Sequence, residues 1–247
     1  ALTGGQWVLD SNFNITGTPA NIVTNSATLT LSGGTFFNTS NGTNAFANLS
    51  ANKKTLRILN FAHFSTAGTL TNTGQMTVAK GCKLTIGGTG TSYSQTSGKT
   101  TLDGMLIGTT MINGGTFLGA GSITGNVALG STTAAILSLG DAGKSAQVKV
   151  TGTYTQNSTG TLAVAIGGTT LATQYSQLKV VGTANVSGAL AATLINTFTP
   201  TVGQKFTVMS ATKVAGTFSN TTIPINSTEQ FTVSYTKASV VLTVTAI

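Results

Sequence analysis

The sequence predicts an all-β chain built as a parallel β-helix, or β-solenoid, with a C-terminal antiparallel hairpin or cap. Three observations predict it. Helical periodicity is nearly missing, short alternating β-branched runs are punctuated by Gly, Asn and Ser, and the chain repeats itself loosely between Tyr93 and Phe218. Fixed-interval self-similarity in short strands suits coils that stack, each offering its strands to the coil above and below. Backbone hydrogen bonds then run along the stack, which lets a polar chain satisfy its buried amides.

The elements follow in order. Trp7-Val-Leu-Asp10 reads as a first strand, and Ala27-Thr-Leu-Thr-Leu31, Gly68-Thr-Leu-Thr-Asn72, Gln75-Met-Thr-Val78 and Lys83-Leu-Thr-Ile86 as strands of about four residues between tight turns. Tyr93-Ser-Gln95 aligns with Tyr154-Thr-Gln156, and a third Tyr-Xaa-Gln begins at Tyr175. The interval from Tyr93 to Tyr154 matches three coils of roughly twenty residues, so the chain should make about twelve coils and a rod of about 55 to 60 Å. Residues 1–174 are expected as solenoid coils. Residues 175–247 should continue them as terminal coils and cap, because Phe231-Thr-Val-Ser-Tyr235 and Val240-Val-Leu-Thr-Val244 alternate around Thr236-Lys-Ala-Ser239 as a hairpin does. Such a cap covers apolar core and unpaired strand edges at one end. A poorly covered N-terminal end would invite stacking or strand exchange between copies, and the candidate subunit contacts are Trp7, Val8, Leu9, Tyr235, Val240, Leu242 and Val244.

Composition limits the chemistry. Charged residues make up 6% of the 247 residues against about a quarter in average domains, so charge does not dominate the surface. Disorder is excluded by 40% hydrophobic residues. The net charge of +8 reflects twelve basic residues against four acids, scattered apart from Lys53, Lys54 and Arg57. Nucleic-acid binding needs a basic face interleaved with stacking aromatics, and that pattern is missing; a diffuse positive field could favour an anionic polysaccharide or a negatively charged cell surface, while solubility through modest net charge is the plainer reading. No run of eighteen apolar residues is present to span a membrane as a helix. Ala1 in place of a starting Met fits a mature secreted form.

The inventory offers no catalytic, cofactor or metal set. Sugar cleavage needs paired carboxylates, whereas Asp10, Asp103, Asp141 and Glu229 are far apart in sequence, although stacking could bring Asp103 and Asp141 together as turn formers. His63 lies in the mostly apolar run Ile58–Phe64 and reads as a partly buried imidazole bonded to backbone. Cys82 reads as a buried strand residue rather than a thiol activated by Lys80 and Lys83. Trp7 reads as cover for the open core of the first coil rather than a sugar platform. Thr-Xaa-Thr pairs such as Thr28 with Thr30 and Thr69 with Thr71 lack the fixed period that an ice-matching lattice requires.

Gly114-Gly-Thr-Phe-Leu-Gly-Ala-Gly-Ser-Ile-Thr-Gly-Asn-Val127, Val150-Thr-Gly-Thr-Tyr-Thr-Gln156, Tyr175-Ser-Gln-Leu-Lys-Val-Val-Gly-Thr-Ala184 and Phe198-Thr-Pro-Thr-Val-Gly-Gln-Lys-Phe206 resemble the distal passenger region of bacterial autotransporter and filamentous-haemagglutinin-type surface proteins. The resemblance spans the C-terminal part of the chain, from Gly114 onward, and more loosely the rest. It implies a right-handed parallel β-helix on the cell surface or outside the cell, with a scaffold, matrix or adhesive role. Two departures stand out: Ser138–Lys144 lacks the family's proline turn, and nothing after Val244 could form a membrane barrel. The expectation is a homopolymer, an extracellular filament or matrix assembled end to end or by strand addition. A monomeric adhesin binding glycans or anionic polymer, and a polysaccharide-acting enzyme, are the alternatives.

Overall fold

The computed structural model describes residues 1–10, 13–15, 21–33, 36–38, 44–141 and 143–247, with 13–15 and 36–38 described by backbone pairing alone. The described residues wind into nine coils. The first coil contains β1 (Leu2–Leu9) and β2 (Phe13–Ile15), and the second β3 (Thr24–Ser32) and β4 (Phe36–Asn38). Three strands then form each coil: β5 (Ala51–Asn52), β6 (Thr55–Leu59) and β7 (His63–Thr66); β8 (Leu70–Asn72), β9 (Gln75–Val78) and β10 (Lys83–Ile86); β11 (Ser92–Gln95), β12 (Lys99–Leu102) and β13 (Met105–Ile107). The sixth and seventh coils are β14 (Thr109–Ile112), β15 (Gly115–Gly119), β16 (Ser122–Thr124), then β17 (Val127–Leu129), β18 (Ala135–Leu139), β19 (Gln147–Val150). The last two are β20 (Tyr154–Gln156), β21 (Gly160–Ile166), β22 (Gln177–Val180), then β23 (Thr183–Val186), β24 (Ala189–Leu194), β25 (Lys205–Ser210). The chain finishes with β26 (Lys213–Gly216), β27 (Thr222–Pro224), β28 (Glu229–Tyr235) and β29 (Ser239–Ala246).

Parallel pairing between successive coils makes three faces, so the predicted β-helix is the fold. On the first face, the column Leu70, Tyr93, Thr110, Val127, Tyr154, Ala184 points inward in register. On the second, Leu29, Leu56, Met76, Thr100, Phe117, Leu137 and Leu162 do so. The third contributes Phe64, Leu84, Leu106, Ile123 and Val150. Alternation with period two sends these apolar side chains to one continuous core and leaves Thr, Ser, Lys and Ala outside.

Coils are unequal rather than uniform in length as expected. Tyr93 pairs with Thr110 and Thr110 with Val127, which are short coils, but Val127 pairs with Tyr154 and Tyr154 with Ala184, which are much longer ones. Long connections between strands lengthen the later coils without adding to the stack, so the first face, from β1 to β26, measures roughly 40 Å at about 4.8 Å per strand. The Tyr-Xaa-Gln alignment is nonetheless structural, for Tyr93 and Tyr154 share a column three coils apart. Tyr175 is not in that column; it lies in the connection before β22 and packs edge-on against Phe206, ring centroids 5.5 Å apart.

Buried amides explain how the corner between the first and second faces holds its register. Asn25 Nδ2 donates to Asn52 Oδ1 at 2.8 Å and to the Thr55 carbonyl; Asn52 Nδ2 donates to Asn72 Oδ1 at 2.7 Å and to the Gln75 carbonyl. All three asparagines are fully buried, so these bonds offset a desolvation cost of about 1–3 kcal/mol per unpaired group. The ladder continues to Thr100, which bonds Tyr93 and Gln95, and Gln95 Nε2 donates to the Gly114 carbonyl. Three coils later the Tyr154 hydroxyl donates to Gln156 Oε1 at 2.7 Å, and Gln156 Nε2 donates to the carbonyls of Gly160 and Ala189. The recurring Tyr-Xaa-Gln is thus a buried polar unit at the same corner.

At the C-terminal end the third face turns antiparallel. β29 pairs with β25 on one side and β28 on the other, and β27 forms the outer strand, as the hairpin pattern predicts. Phe206 sits at the centre of this cap, its ring 6.2 Å from Phe198 and 5.9 Å from Phe231 in edge-to-face contacts.

Candidate functional site

Two places carry the chemistry: the N-terminal end of the stack and a groove on the third face. At the N-terminal end, β1 pairs in parallel with β3, and among the described residues no strand pairs with its other edge. A register shift at Gly4 and Gly5, both at positive φ, divides it into Leu2–Thr3 and Gln6–Leu9. Trp7 occupies the inward column above Leu29 and Leu9 the one above Leu31; with no described strand above them, Trp7 remains 39% exposed while Leu9 is buried. The Trp7 indole N–H donates to the Gly4 carbonyl at 3.2 Å. Val8, in the outward column with Thr30 and Arg57, is 54% exposed.

The C-terminal members of the predicted contact set are placed differently. Val240, Leu242 and Val244 belong to β29, a central strand, and their side chains are buried in the chain's own core. Tyr235 is half-buried; its hydroxyl accepts the Phe218 N–H at 2.8 Å, and burial raises its phenol pKa above the ordinary value. The outermost strand at this end, β27, has three residues and ends in Pro224, which lacks a donor. Of the seven predicted contacts, Trp7 and Val8 are therefore those that present large apolar surface to solvent.

The groove, of about 320 Å³, is lined by His63, Gly81, Cys82, Lys83, Asp103, Gly104, Met105 and Ser122. His63, Lys83, Met105 and Ser122 are successive residues of one outward column on β7, β10, β13 and β16. His63 is exposed rather than partly buried against backbone. The apolar run that surrounds it is split by a turn, after which Ala62 and Phe64 point in and His63 points out. Cys82 is buried, as expected, although in the turn before β10 rather than in a strand. Asp103 sits in the bend between β12 and β13, and its Oδ1 accepts the Ala120 N–H of the next coil at 3.0 Å.

The other acids are elsewhere. Asp141 lines a separate hollow with Lys144, Glu229 Oε2 accepts from Asn226 Nδ2 at 2.9 Å in the cap, and Asp10 follows β1. Stacking thus places Asp103 and Asp141 in different depressions, and Ala142 of the Ser138–Lys144 turn lies outside the described residues. Among the described residues, no three His, Cys, Asp or Glu side chains converge as a metal site, and no helix is long and apolar enough to cross a membrane. The threonine pairs fall on different faces, with Thr28 and Thr30 on the second and Thr71 on the first. Sequence reading missed the Asn25–Asn52–Asn72 ladder and the exposed Phe61. The recurrence of Asn at one strand position in successive coils was the available signal for the ladder, obscured because those coils differ in length. No protein-family model matches this chain, and comparison with curated proteins likewise finds no match.

Proposed function

We propose that this chain is an extracellular or cell-surface bacterial structural protein of the autotransporter-passenger type that assembles end to end through its first coil. The edge of β1 that no described strand pairs with carries this reading: its uninterrupted stretch Gln6–Leu9, with Trp7 and Val8 exposed, lies at the opposite end of the described stack from the β27–β29 cap. Long unprotected edges recruit further strands, whereas a short edge strand ending in proline resists them. Charge favours a head-to-tail arrangement over head-to-head. Asp10 is the one charged side chain in residues 1–52, while the other end carries Lys205, Lys213 and Lys237 against the single acid Glu229. A heterologous contact of that kind repeats without closing and yields a filament.

Val8→Lys tests it. A lysine on an edge strand opposes further pairing, and an exposed substitution changes stability by about 0.5 kcal/mol or less. Light scattering across a dilution series should show assemblies for the parent chain and monomers for the variant at an unchanged unfolding temperature. A parent chain that stays monomeric, or that forms a closed dimer, contradicts the proposal and favours a glycan-binding adhesin.

A further inference from the structure

Phe61, whose ring sits against the groove residue Gly81, holds a costly conformation. Asn60 and Phe61 both adopt left-handed backbone, φ 53° and 61°, and the Phe61 side chain is 75% exposed. A bulky aromatic in that region is strained, and exposure forfeits the burial that normally repays an aromatic; such strain concentrates at ligand sites. The turn is held rather than loose: Asn60 Nδ2 donates to Ser32 Oγ at 2.7 Å. The Phe61 ring lies over Gly81, where an added Cβ would sit 2.6 Å from ring carbons, and Gly81 lines the groove. An apolar ring is thereby set against Gly81, one wall of the groove that His63, Lys83, Asp103 and Ser122 also line.

The geometry points to a binding site for an acidic saccharide of the hexuronate class, with a sugar ring stacked on Phe61 and its carboxylate on Lys83. Each part of the site matches one part of such a ligand. An exposed aromatic face takes the C–H face of a pyranose, Lys83 takes one carboxylate, and Asp103 and Ser122, further along the stack, accept from and donate to hydroxyls of the following rings. The Asp103 carboxylate in the same groove opposes a densely charged polyphosphate, whereas a uronate carries one charge per ring and hydroxyls to spend on an acid. The outward column from Lys83 continues through Met105 and Ser122 to Lys149 and Lys179. At one strand per step these lie roughly 14 and 19 Å from Lys83, within reach of an oligomer lying along the rod.

Titration calorimetry of the full chain with a galacturonate hexamer, with neutral maltohexaose and with hexaglutamate as comparisons, tests the assignment. The hexamer should bind, more tightly than the galacturonate monomer and at least tenfold more tightly than maltohexaose. Phe61→Asn, a residue that tolerates left-handed backbone, should weaken binding at least tenfold while leaving the unfolding temperature equal or higher. Lys83→Gln should reduce the preference for the charged over the neutral hexamer at least threefold, and Lys99→Gln on the second face should change nothing. Absence of binding at millimolar hexamer, indifference to Phe61→Asn with the fold intact, or hexaglutamate binding as tightly as the uronate would each overturn it.

Discussion

At the scale of single residues, the interior is held by amides and phenols that are expensive to bury and that bond one another across the coils, while among the described residues the buried Asn113 Oδ1 has no hydrogen-bond partner. Asn52 is the middle rung of its ladder, accepting from Asn25 and donating to Asn72. Asn52→Ala would leave Asn25 Nδ2 and Asn72 Oδ1 each short of a partner, and we expect destabilisation by about 2–4 kcal/mol, read by chemical denaturation. Tyr93 and Tyr154 are both fully buried, and burial raises their phenol pKa values well above the ordinary range. Because the folded state holds these protons beyond the unfolded pKa of about 10, the stability linked to them is complete below that pH and is lost as pH rises past it. Ultraviolet titration should show these two of the four tyrosines remaining un-ionised until the chain unfolds in alkali, and Tyr154→Phe should remove part of that alkaline sensitivity. The Tyr-Xaa-Gln repeat was legible in the sequence because both partners are rare residue types in a chain dominated by Gly, Thr and Ser. The asparagine ladder was not, since Asn reads as a turn former and only stacking shows it facing inward.

At the scale of elements, alternation located the strands, and turns decided what it could not. β8, β9, β10, β28 and β29 fall where apolar and polar residues alternate between turn-forming residues. His63 was misread because Ile58–Phe64 looks continuous, whereas the left-handed pair at Asn60 and Phe61 resets which residues face out. The turn of the next coil is shaped to receive that pair. Gly81, at φ 80°, has the Phe61 ring where a Cβ would stand, while Gly90, at φ 73°, has open space there. Gly81→Ala should therefore cost about 2–3 kcal/mol and Gly90→Ala about 1 kcal/mol, the difference being displacement of Phe61 rather than backbone strain. Paired thermal unfolding curves measure it, and equal shifts would show that the ring does not bear on Gly81.

At the scale of the whole molecule, the two ends are unlike. The C-terminal end spends three antiparallel strands and the Phe206 cluster on closing the core, whereas at the N-terminal end no described strand pairs with the outer edge of β1, where Trp7 is part-exposed. The general architecture was readable from composition and repetition, but rod length was not. Connections between strands, invisible to a repeat count, stretch the coil from Tyr154 to Ala184 well beyond the one from Tyr93 to Thr110. Which end is open was readable only in outline: the hairpin announced a cap, while Val240, Leu242 and Val244 could not be told from an exposed apolar edge until β25 was seen to pair with β29. Negative-stain electron microscopy of the native chain near physiological salt, before and after dilution, bears most directly on end-to-end assembly. Uniform filaments with an axial repeat of roughly 45–55 Å, one rod length including the cap, are the predicted result. Monodisperse short rods at every concentration would contradict it.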